Sequence, residues 1–205
     1  MQEALVTMLR MQDGMNTRVH EDWISQNFAW HRAIWIECAE LVDHYGYKWW
    51  KAQNPDMEQV QLEAVDIWHF GMSSLFTEGK PLESMAAEIA AQWHAAPGID
   101  GVVDATEYLA GIAASQKRFD VPAFVSLLTA VELDFDELFR QYLGKNVLNF
   151  FRQDHGYKVG SYRKVWDGRE DNEHLMELLA QINTSSADAE EDLYRALAAR
   201  YDETQ

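Results

Sequence analysis

Apolar residues recur at helical spacing along almost the whole chain, interrupted by short polar or glycine-bearing turns. The pattern predicts a short amphipathic helix over residues 2–11 and a turn at 12–16, "QDGMN". A helix over 29–45 follows. It is apolar on nearly every side, through Trp30, Ala33, Ile34, Trp35, Ile36, Cys38, Ala39, Leu41 and Val42, which predicts burial. After an aromatic, lysine-bearing loop, Asn54 is the expected N-cap of the next helix, with Pro55 at its first position and Asp56 and Glu58 in its first turn. That helix runs to about Phe76 and stops at Gly79 and Pro81. Further helices are predicted over 82–93, 101–115, 121–131 and 134–155. Residues 156–172, with glycines at 156, 160 and 168, read as a loop or small hairpin. Two last helices, 172–182 and 187–201, are separated by "NTSSAD". No βαβ alternation, internal repeat or low-complexity tract is present, so the predicted class is an all-α helical bundle.

Two of these apolar helices carry paired carboxylates. Glu37 and Glu40 lie on the first, Glu63 and Asp66 on the second, in the patterns E-x-x-E and E-x-x-D. Residues three apart share a helix face. An isolated pair of this kind ordinarily faces solvent. Two pairs on two apolar helices are expected instead to face each other. Four ionised carboxylates in a dry core would cost several kcal/mol each, so they must protonate or surround a cation. Arg32 is the only arginine or lysine on the two helices and does not balance four charges. Oxygen-only ligands point to hard divalent ions, magnesium or manganese, two or three in number. A di-iron centre would require Glu-x-x-His pairs. His44 lies four after Glu40 and His69 three after Asp66, and neither makes such a pair.

Composition narrows the choice further. A length of 205 residues suits one domain over 1–205, with 81–131 as a candidate smaller lobe. Hydrophobic residues make up 47% of it, enough for a sizeable core. A net charge of −17 repels nucleic acids and anionic membranes, so neither is an expected partner. The lone Cys38 allows no internal disulfide, suits a reducing cytoplasm, and reads as a small buried hydrophobe. The N-terminus lacks the pattern of a secretory signal, and no apolar run approaches the roughly 20 residues of a membrane span.

The 17 basic residues are unevenly placed. Lys145, Asn149 and Arg152 fall on one face of the helix over 134–155, with no acid on that stripe. The glycine-bearing segment adds Lys158, Arg163, Lys164 and Arg169 among Tyr157, Tyr162 and Trp166, a composition suited to a lid over phosphates. Carboxylates that hold magnesium together with such donors describe a polyphosphate site, and no P-loop motif is present. The implied chemistry is metal-assisted hydrolysis of a nucleotide phosphoanhydride.

These motifs, with "MQDGMN", "DHYGYKWWKAQNPD", "LEAVDIWHF" and "KNVLNFFRQDHGYKVGSYRKVWDGREDN", resemble the all-α nucleoside triphosphate pyrophosphatases and, within them, the dimeric dUTPases. The resemblance covers the N-terminal third and about 143–172 and is loose over 81–131, where the middle is more compact than in the protozoal members. It implies magnesium-dependent hydrolysis of dUTP, and often dUDP, to dUMP, in a homodimer. Glu37, Glu40, Glu63 and Asp66 would be metal ligands, with Glu37 orienting the attacking water. Lys145, Asn149 and Arg152 would bind phosphates, joined by Lys158, Tyr162 and Lys164 as the lid closes. Gln12 and Asn16 would read the uracil edge, Trp50 would wall the base or sugar, and His69 would sit near the deoxyribose. The alternatives are a related pyrophosphatase acting on dCTP or a broad set of nucleotides, and a non-catalytic helical protein that binds a partner through its acidic surface.

Overall fold

Residues 12–16 do not form a turn. In the computed structural model, which describes residues 1–184, 186 and 188–204, α1 runs unbroken from Gln2 to Val19 (Gln2–Val19). Gly14 inside it costs on the order of 1 kcal/mol of helix propensity. Burial of Leu5, Met8, Leu9, Met11 and Met15 on one face outweighs that cost. The consequence for the site is direct: Gln12 and Asn16 stand one turn apart on a buried helical face rather than on a mobile turn.

The chain divides into two compact units, Met1–Leu138 and Phe139–Gln205, and residues 81–131 fall within the first. In the first unit α2 (Trp30–Tyr45) packs on α3 (Met57–Leu75) and α5 (Val102–Gln116). α1 packs on α3 and α4 (Leu82–Trp93), and α6 (Val121–Ala130) on α3, α4 and α5. α3 is therefore central, and Val60, Leu62, Ala64, Val65, Ile67, Trp68 and Met72 are fully or almost fully buried. The Trp68 ring stacks on Phe124 at 5.2 Å between centroids. Phe119 packs so tightly on α3 that a Cβ at Gly71 would lie 2.6 Å from its ring, so that position requires glycine.

Two details of α2 and α3 differ from expectation. α2 buries one stripe, Ile34, Cys38 and Leu41, at spacing i, i+4, i+7, while Trp35 and Ile36 are 40% and 42% exposed. It is not buried all round within one chain. The N-cap of α3 is Asp56, not Asn54. Its carboxylate accepts from the Gln59 N–H at 3.3 Å, and its charge also suits the helix N-terminus better than an amide does.

α7 (Phe135–Asp154) starts after Asp134, whose carboxylate accepts from the Glu137 N–H, and most of it belongs to the second unit. There it is followed by a 3₁₀ turn (Tyr157–Val159) and a two-residue antiparallel hairpin, β1 (Val165–Trp166) with β2 (Arg169–Glu170). α8 (Asp171–Leu179) and α9 (Ala189–Glu203) complete it and pack on each other. Ala187, expected to open the last helix, lies outside the described residues. Phe151 centres an aromatic cluster with Trp166, Tyr194 and Tyr201. The glycine-bearing segment is anchored: the Arg163 guanidinium donates to the Tyr201 and Thr204 carbonyls, both at 2.8 Å, capping the C-terminus of α9. Among the described residues no helix is long and apolar enough to cross a membrane.

Candidate functional site

The packing of α2 on α3 brings Glu37, Glu63 and Asp66 together, each offering a carboxylate oxygen within 4.8 Å of the others. Glu63 is buried, and Glu37 and Asp66 are half-buried. Glu40, one turn beyond Glu37, is exposed and outside this trio, though its charge reaches Glu37. Burial, followed by the charges of Asp66 and Glu63, pushes the Glu37 carboxyl from 4.5 up to about 9. The trio does not tolerate full ionisation without a positive partner. It binds a proton instead, which is the behaviour of a carboxylate set shaped for a cation. All three donors are oxygens, which fits a hard divalent ion.

No histidine belongs to this trio among the described residues. His44 Nε2 stands 3.6 Å from Glu63 Oε1, and His69 is turned to another task described below, so neither completes the di-iron pattern. Cys38 is buried, and its thiol is pushed up to about 12 by burial and by Glu37, so it acts as a packing residue with no nucleophilic character.

A second cluster joins α1 to α3. Gln12, Asn16, His69 and Ser73 are all buried and hydrogen-bonded to one another. The structure thus brings together three of the four residues expected to meet the nucleoside. Trp50 is not with them: it lies 60% exposed on the loop after α2, edge-on to Trp49. Ser73 also lines a cavity of about 330 Å³ walled by Trp23, Phe28, Trp30 and Phe76. Neither Ser73 nor that aromatic wall emerged from the sequence patterns. Ser73 lies four residues after His69, a spacing that places both on one face of α3.

The second unit arranges the basic residues. Arg152 makes a bidentate pair with Asp171, Nε to Oδ2 and Nη2 to Oδ1, both at 2.8 Å. Tyr162 donates its hydroxyl to the same carboxylate at 2.8 Å. Lys145 donates to Asn172 Oδ1 at 3.0 Å, and Arg152 Nη1 to Asn149 Oδ1 at 3.3 Å. Lys164 pairs with Glu170 at 3.1 Å on the surface, and Lys158 is exposed. The basic stripe of α7 is therefore not free of acids once folded, because α8 supplies Asp171. Burial alone would raise the Asp171 carboxyl, but hydrogen bonds and charge from Arg152, with Tyr162, hold it below the ordinary range. Burial, together with that carboxylate, pushes Tyr162 far up. The pairing fixes the Arg152 fork on α7 and leaves Asp171 ionised.

The chain matches the dUTPase family model over residues 4–157. It belongs to the dUTPase family. The match takes in α1 to α7 and therefore the acidic trio and the amide cluster, while α8 and α9 lie beyond it. No curated protein matches the chain. Membership of the all-α dUTPases makes it a dUTP diphosphatase that acts on a nucleotide and uses a divalent metal, and the trio on α2 and α3 is compatible with that use.

Proposed function

We propose that this dUTPase is magnesium-dependent and converts dUTP, and dUDP as well, to dUMP, clearing dUTP from the nucleotide pool and supplying dUMP for dTMP synthesis. The observation that carries this reading is the convergence of Glu37, Glu63 and Asp66, with Glu37 holding its proton to about pH 9. These three would hold two or three ions, with Glu40 as a fourth ligand from the adjacent turn, and manganese is a suitable substitute. Magnesium bound there supplies an acidified water and neutralises charge on the phosphates. Glu37 orients the water that attacks the β-phosphorus, so dUTP yields dUMP and pyrophosphate. Lys145, Asn149 and Arg152 bind phosphate oxygens, with Lys158, Tyr162 and Lys164 contributing from the glycine-bearing segment. Gln12 and Asn16 read the uracil edge, Trp50 walls the base or sugar, and His69 stands near the deoxyribose.

Steady-state hydrolysis of a nucleotide panel, with and without magnesium, tests the reading. Turnover of dUTP and dUDP that requires the metal is the expected result, and faster turnover of dCTP would overturn it. Trp35 and Ile36 on α2 and the 47% exposed Tyr108 on α5 leave apolar surface for a second copy to cover. A homodimer is the assembly we read from this, and sedimentation of a 23.7 kDa monomer would contradict it. The lone buried cysteine suits a cytoplasmic enzyme.

A further inference from the structure

The hydrogens in the α1–α3 cluster can be placed by elimination. The Ser73 hydroxyl lies 2.9 Å from the His69 carbonyl oxygen, one turn back on α3. A carbonyl only accepts, so the hydroxyl donates there. Its oxygen must then accept from whatever else it meets. Those partners are Gln12 Nε2 at 3.0 Å and Asn16 Nδ2 at 2.9 Å. Both amides are thereby forced to turn their NH₂ groups toward Ser73. Gln12 Nε2 gives its second hydrogen to Asn16 Oδ1 at 3.0 Å. Gln12 Oε1 faces His69 Nδ1 at 2.8 Å, so that ring nitrogen carries the proton.

The accounting separates the two amides. Both N–H groups of Gln12 are committed inside the cluster. Asn16 commits one N–H and one Oδ1 lone pair, and among the described residues nothing takes its other N–H or its other lone pair. It is also the most accessible of the four, at 8% against 4% for Gln12 and His69 and 2% for Ser73. A donor beside an acceptor, in fixed order, is what discriminates two pyrimidine edges. Uracil presents an acceptor at position 4 and a donor at position 3, and cytosine presents the reverse. Meeting cytosine in the same pose requires the Asn16 amide to rotate by half a turn. Asn16 Oδ1 would then face the lone pairs of Ser73, and Asn16 Nδ2 would face the N–H of Gln12. Two hydrogen bonds become two repulsions.

We propose that Ser73 is a positioning residue for base selection: by donating to the His69 carbonyl it acts as an obligate acceptor, locks the Asn16 amide in the uracil-reading orientation, and rejects cytosine through Asn16. This deepens the dUTPase reading and rests on it. It narrows the base-edge reading proposed for Gln12 and Asn16 together: Asn16 meets the edge, and Gln12, with its amide engaged by Asn16, Ser73 and His69, joins Ser73 in holding Asn16.

The test is calorimetric binding of dUMP and dCMP to the full chain, alongside circular dichroism. The wild type is expected to prefer dUMP by about 100-fold or more, because a site built on hydrogen bonds rejects the mismatched edge strongly. Ser73→Ala frees the amide to turn and should narrow that ratio by about tenfold or more, with dCMP gaining relative to dUMP. Ser73→Thr keeps the hydroxyl and its bond one turn back, and should restore the ratio. Ser73→Cys keeps the shape but weakens donor and acceptor, and should fall between them, which preserves the test if the alanine variant does not fold. Wild-type selectivity in both the alanine and the cysteine variants would overturn the role of Ser73 and leave the dUTPase reading standing. A wild type that binds dCMP as tightly as dUMP would overturn that reading and this inference together.

Discussion

Glu37→Gln should lower dUTP turnover by about 10³-fold, the scale at which a residue that holds the attacking water in place contributes, while the folded metal-free protein becomes more stable near neutral pH. The two effects share one cause. Glu37 holds its proton to about 9 when folded but only to 4.5 as a free side chain. Between those values the folded state binds the extra proton, so the contribution of Glu37 to metal-free stability is fully present below about 4.5 and is lost as pH rises toward 9. Glutamine carries no such proton, and the decline should flatten in the variant. Thermal unfolding followed across this pH range, with a hydrolysis assay on the same preparations, reads both. A variant that keeps its activity, or a wild type with no such decline, would contradict the arrangement of the trio. Retention of a destabilising acid is the usual mark of a site selected for function over stability.

Asp171→Ala should destabilise the second unit by about 3–5 kcal/mol, the cost of stranding one member of a buried ion pair. The Asp171 side chain is fully buried and Arg152 is 11% exposed, and the same carboxylate also accepts from Tyr162. The Lys164–Glu170 pair is the control. Both side chains are about half exposed, at 51% and 52%, so Lys164→Ala, which leaves the Glu170 cap of α8 in place, should cost under about 1 kcal/mol. Guanidinium unfolding of the two variants measures the contrast. Equal and small effects would show that the Arg152 fork is not held as the geometry indicates.

Local patterns in the sequence carried the helices and the pairing of Glu63 with Asp66, because a spacing of three residues places two side chains on one face without knowledge of the fold. The same spacing also put Glu40 with Glu37, but Glu40 is exposed and outside the trio. Residues 12–16 misled for the converse reason. Gly14 and its polar neighbours carry turn chemistry, and only the burial of Met11 and Met15 against other helices decides for a continuous α1. The exposure of Trp35 and Ile36 was equally hidden, since an apolar side chain does not state whether its cover comes from the same chain. Asp171 could not be read as the partner of Arg152 across the 19 residues that separate them, because a hairpin and a helix start intervene. Glycines at 156 and 160 suggested a free lid, yet Arg163 ties the segment to the unsatisfied carbonyls at the end of α9. Ser73 sits plainly on the face of His69, but its meaning depends on α1 bringing two amides to it.

The most direct test is a magnesium titration of the metal-free protein at pH 7, run by calorimetry in two buffers of different ionisation enthalpy. If the trio holds a proton until divalent ions displace it, binding should release about one proton per site, and Glu37→Gln should release none. Magnesium that fails to bind, or binds without releasing a proton in the wild type, would contradict the carboxylate centre itself.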